Sequence, residues 1–69
     1  MYTRLLRKED HVRRFTIRTT DTSGWQVMDE QDASVLKSAC YDDWHRVERA
    51  RATFSLEAAH LRDEGWVES

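Results

Sequence analysis

From residue 44 to residue 64 the chain runs without glycine or proline and is rich in Ala, Arg, Glu and Leu, all strong helix formers. Both ends of this run carry their own signals. Asp42 and Asp43 can each offer a carboxylate to free backbone N–H groups and a negative charge to the positive end of a helix. Gly65 stands where a left-handed C′ residue belongs, which makes Trp66 the next residue out, placed to fold back on Leu61. Start, body and stop together predict one helix of about 21 residues, roughly 31 Å long.

At about 100° per residue, Trp44, Val47, Ala50, Phe54, Ala58 and Leu61 share one side of this helix and form the expected buried stripe. Arg51 interrupts the stripe and is expected to snorkel from its edge. The spacings Asp42–Arg46, His60–Glu64 and Glu48–Arg51 suit ion pairs worth a few tenths of a kcal/mol each. The apolar stripe, not the charges, must therefore hold the helix against a second layer.

Residues 13–20, RRFTIRTT, alternate: Phe15 and Ile17 point one way, Arg14, Thr16 and Arg18 the other. That is a strand with one wet face. Asp21-Thr22-Ser23-Gly24 is turn chemistry, with Gly24 able to take positive φ. Residues 25–30 return as a second strand. The loop length pairs Ile17 with Val27 and Thr19 with Trp25 inside, and sets Arg14 against Glu30 outside. Gln31-Asp32-Ala33 reads as another turn, and Ser34–Tyr41 as a third strand whose inner face depends on loop parity. An even loop turns Leu36 and Cys40 inward; an odd one turns Val35, Ala39, Tyr41 and Lys37 inward.

The expected fold is α+β: a small three-stranded antiparallel β-meander followed by one long C-terminal α-helix packed across it, with residues 1–69 a single domain. Residues 1–11 show no clear period. They are expected as a flexible N-terminal arm or a helical turn that lays Leu5 and Leu6 on the core. The alternative architecture is a hairpin followed by a longer helix beginning near Ala33.

A chain of 69 residues buries a small core. Chains this short often need a disulfide, a metal or a second subunit. Cys40 is the only cysteine, which excludes an intrachain disulfide. One Cys and three scattered His do not make a four-ligand zinc site. Packing around three Trp, two Phe and two Tyr remains, or oligomerisation. No apolar run approaches 18 residues and no signal-peptide core is evident, so neither a membrane partner nor secretion is expected. The lone thiol fits a reducing cytoplasm.

The net charge of −2 hides a split. Residues 1–20 hold six basic and two acidic side chains; residues 21–69 hold five basic and eleven acidic. Mutual attraction of the two halves accounts for this more simply than a polyanionic partner does. The polyanion reading still names a face: Arg13, Arg14 and Arg18, with Tyr2, Phe15 and Trp25 nearby to stack on bases.

No catalytic, cofactor-binding or metal-binding residue is assigned, and no cofactor is expected. Cys40 ends a strand while His45 opens the helix on the side away from its stripe, which separates thiol from base. Glu57-x-x-His60 has the spacing of a di-iron half-motif, but those sites need two copies and two further Glu. His45 and His60 lie about 22 Å apart along one helix, so they cannot share an ion within the chain.

One feature exceeds what a monomer needs. Opposite the buried stripe, Arg49, Ala52, Leu56, Ala59 and Asp63 form a heptad-like row, extended at one end by His45. An antiparallel pairing centred on Leu56 sets Arg49 of one copy against Asp63 of the other, a self-complementary two-fold seam. The expected function is that of a small non-enzymatic interaction or regulatory protein acting as a homodimer, with itself and another protein as partners. A nucleic-acid-binding module using the basic first strand is the alternative.

Overall fold

The computed structural model describes residues 2–21 and 23–69. The chain forms β1 (Tyr2–Lys8), β2 (His11–Thr19), β3 (Trp25–Gln31), β4 (Ser34–Tyr41), α1 (Trp44–Asp63) and β5 (Val67–Glu68). The strands make one antiparallel sheet in the order β4-β3-β2-β1-β5, with α1 laid on one face. The fold is α+β with a C-terminal helix, but the three-stranded meander is overturned: the sheet has five strands. The longer helix from Ala33 is likewise replaced by β4.

The two extra strands come from the chain ends. Residues 2–8, expected as an arm or helical turn, pair with β2 along their whole length. Their period was obscured because Tyr2, Arg4, Leu6 and Lys8 are the positions that face α1, and two of them are cations. Both cations are met from the far end of the chain. Arg4 makes a bidentate pair with Glu68 at 2.7 and 2.6 Å. Lys8 Nζ donates to the Glu64 carbonyl at 2.7 Å, at the negative end of α1. Met1, part of the expected arm, and Thr22, part of the first turn, lie outside the described residues.

The β2–β3 register has Ile17 opposite Val27, Thr19 opposite Trp25 and Arg14 opposite Glu30, as the alternation predicts. Gly24 serves this hairpin differently than expected. Ser23 takes the positive φ, at 60°. Gly24 is needed for space, since a Cβ there would stand 2.9 Å from the Tyr41 carbonyl oxygen.

The β3–β4 turn is even, with Gln31 opposite Ser34, yet Lys37, Ala39 and Tyr41 are the residues opposite the helix-facing row of β3. A bulge resolves the parity. Val35 still faces Glu30, but Lys37 faces Asp29, so Leu36 is the extra residue that flips the rest of the strand. Asp32 and Ala33 form the turn with φ of 52° and 67°.

The core is Leu6, Phe15, Ile17 and Val27 from the sheet and Val47, Phe54, Ala58 and Leu61 from α1. Phe15 and Phe54 stack at 4.9 Å across the layers. Both helix ends follow the sequence. Asp43 is the N-cap and accepts from His45 N at 3.0 Å. Gly65 has φ 101°, and Trp66 N donates to the Leu61 carbonyl at 2.9 Å. One stripe position departs: Trp44 is 44% exposed. It is the first helical residue, and its ring packs on Trp25 of the sheet at 5.3 Å.

Beside the core, Asp29 is 3% exposed and takes both Nε and Nη2 of Arg13 at 2.8 Å. Arg13 in turn lies 5.3 Å from the Phe15 ring. Removing one partner strands a charge, which costs about 3–5 kcal/mol, whereas replacing both by apolar residues is close to neutral. Arg13→Ala is therefore expected to lose about 3 kcal/mol in urea denaturation, and Arg13→Met with Asp29→Leu to recover most of it. Ala33→Gly relieves a left-handed backbone costing roughly 1–2 kcal/mol for a residue with Cβ and should raise stability by about 1 kcal/mol in the same assay.

Candidate interaction surfaces

Three surfaces are built by this fold: the outer side of α1, the uncovered face of the sheet, and the groove between α1 and β4. On the helix, Arg49, Ala52, Leu56, Ala59 and Asp63 are all exposed, and Leu56 is 66% exposed. Among the described residues, neither Arg49 nor Asp63 makes an ion pair within its own chain. His45 and His60 are exposed on the same element.

The uncovered sheet face carries Leu5, Val12, Met28 and Val35 among polar neighbours, by strand alternation from the helix-facing rows. Arg14 lies between Leu5 and Glu30 on it. Arg18 donates from Nε and Nη2 to the side-chain oxygen of Gln26, at 3.0 and 2.9 Å. The three arginines grouped from the sequence are thus divided. Arg14 and Arg18 share the open face, while Arg13 is turned beneath the helix. Phe15, proposed as a base-stacking ring, is fully buried, and Tyr2 and Trp25 pack against the core. Parity alone placed Arg13 with Phe15 and Ile17, so that part of the division was legible in RRFTIRTT.

The α1–β4 groove encloses about 360 Å³ between Val27, Ala39, Tyr41 and Phe54, with Asp29, Glu57 and Lys37 at its polar side. Arg13 binds Asp29, and its Nη2 lies 4.0 Å from Glu57. These carboxylates are engaged with a guanidinium rather than turned toward a ligand. Cys40 is exposed and sits opposite Gln26, on the face away from the core. Among the described residues, no three His, Cys, Asp or Glu side chains gather where they could hold a metal ion. Among the described residues, no helix is long and apolar enough to cross a membrane.

A further polar cluster ties the β2 start to the β3–β4 turn. Asp32 accepts from Val12 N at 2.9 Å and pairs with His11 Nδ1 at 2.9 Å. His11 also lies 6.5 Å from the Trp66 ring. The hydrogen bond to Asp32 holds the His11 imidazole above its ordinary pKa, and the same bond, with that from Val12, holds Asp32 below the usual carboxylate range. At the other edge, the Arg4 guanidinium does the same to Glu68. None of these pairs was apparent from the sequence, because each joins positions 20 or more residues apart.

Comparison with family models, with curated proteins and with solved structures gave no match.

The His11 pair makes a pH prediction of definite sign. A raised folded-state pKa adds stability that is full below the unfolded value of about 6.5 and disappears as pH rises through the folded value. NMR titration should place His11 above that ordinary value, and Asp32→Asn should return it there. An unshifted His11 in the wild type would contradict the geometry.

Proposed function

We propose that this chain is a small non-enzymatic interaction protein of the cytoplasm that works as a homodimer paired through the outer side of α1. The observation that carries the reading is Leu56, two-thirds exposed at the centre of a row whose flanks are small and whose ends are oppositely charged. Ala52 and Ala59 let a second helix approach closely. Arg49 and Asp63, seven residues to either side of Leu56, meet their opposites in an antiparallel two-fold pair.

Size sets the strength of such a dimer. Stable interfaces bury about 800 Å² per partner, and total burial below about 1,200 Å² belongs to weak, transient association. One face of α1, a helix about 30 Å long and 10–12 Å across, offers less than that stable area. The seam therefore favours a reversible dimer, suited to a protein that exchanges one partner for another. Arg49 belongs to a residue type enriched among the side chains that carry interface energy.

Sedimentation across a concentration series should show a monomer–dimer equilibrium in the micromolar range or weaker. Leu56→Asp should shift it to monomer without loss of helicity. Arg49→Asp alone should weaken pairing, and Arg49→Asp with Asp63→Arg should restore it. A wild type that stays monomeric at high concentration overturns the dimer, and an undiminished dimer in Leu56→Asp overturns this seam.

A further inference from the structure

Where α1 begins, over the end of the sheet that carries Tyr2 and Trp25, aromatic side chains from three elements meet. Tyr2 comes from β1, Trp25 from β3 and Trp44 from α1. With Arg18, Arg51 and Ile17 they border a cleft of about 210 Å³. The Trp25 and Trp44 rings lie 5.3 Å apart and are tilted by 58°. The Arg51 guanidinium rests 5.4 Å from the Tyr2 ring centre. Trp44 is 44% exposed, and its Nε1 donates to Glu48 at 2.9 Å, which fixes the orientation of the ring.

The residues that line the cleft include no carboxylate, and Glu48 stands at its rim, held by Trp44 Nε1. Arg51 forms no ion pair with a described carboxylate, while the Arg18 guanidinium is turned to Gln26 on the open face of the sheet. Elsewhere on this side of the sheet, Arg4 and Arg13 each have a bidentate carboxylate. The cleft thus offers an exposed indole face and the Arg51 guanidinium, which no described carboxylate pairs. Its volume falls below the roughly 300–1,000 Å³ of pockets for drug-sized ligands. It suits one flat ring with one anionic group outside.

We propose that this cleft holds one nucleotide of a single-stranded nucleic acid, with its base on Trp44 and its phosphate on Arg51. A base presents a π-face whatever its identity, and guanidinium binds phosphate through its fixed fork of donors. This site differs from the basic strand face read from the sequence. Arg13 and Arg14 take no part, and Trp44 and Arg51 come from the helix. It also stands apart from the dimer seam on the outer side of α1.

Fluorescence anisotropy with labelled oligothymidylate and oligoadenylate, at low ionic strength, tests the site. Wild type should bind both, with affinity falling as salt rises. Trp44→Ala should weaken binding by about tenfold, while Trp44→Phe keeps most of it. Arg51→Gln should also weaken it and reduce the slope of log affinity against log salt by about 0.7, the share of one single-strand phosphate. Leu56→Asp should bind as wild type does, which separates this site from the dimer. Circular dichroism of each variant distinguishes lost folding from lost binding. Absence of wild-type binding at low ionic strength overturns the proposal. So does full binding by folded Trp44→Ala, or loss through Arg14→Gln with Trp44→Ala unaffected.

Discussion

One helix has to cover a sheet wider than itself. Five strands spaced by about 4.8 Å span roughly twice the 10–12 Å diameter of a helix with its side chains. The chain meets this constraint with a diagonal. Val27, Ile17, Phe15 and Leu6 step across β3, β2 and β1, and the buried stripe of α1 lies along them. The helix starts above Trp25 and ends at Lys8. Every other feature on that side of the sheet lies off the diagonal and needs another means of being covered.

The corners use charge and aromatic rings in place of aliphatic packing. On the β4 side, Arg13 and Asp29 neutralise each other beside Phe15, and Glu57 approaches from the helix. On the β5 side, Arg4 is closed over by Glu68. Such pairs add little net stability, because desolvation consumes most of the Coulomb gain. Their effect is on register: Arg4 can find Glu68 only if the last residues return to the first strand. The third corner, at Tyr2, Trp25 and Trp44, has rings and the Arg51 guanidinium without a salt bridge, and it is left partly open.

The division between legible and illegible features follows contact range. The helix caps were readable because each acts within a few residues, as Asp43 does on His45 N and Trp66 on the Leu61 carbonyl. The β2–β3 register was readable because both strands alternate cleanly. β1 was not, since its helix-facing cations are made acceptable only by Glu64 and Glu68, more than 50 residues on. The inner face of β4 was left open by a bulge at Leu36 that no parity rule contains. For the candidate sites, the row through Leu56 could be counted from helical spacing. Grouping Arg13 with Arg14 and Arg18 ignored strand parity, and the pairing of Trp44 with Trp25 required knowing where the helix crosses the sheet.

By itself the sequence determined the long helix, both its ends, its apolar stripe and its outer row, and the central hairpin in register. Those depend on hydrogen bonds and periodicities that close within a turn or across one short loop. Only the tertiary structure decided β1 and β5, the burial of Arg13 with Asp29, and the exposure of Trp44. Each is a balance between the desolvation of a polar or aromatic group and a partner distant in the chain. That balance has no value until the partner is in place.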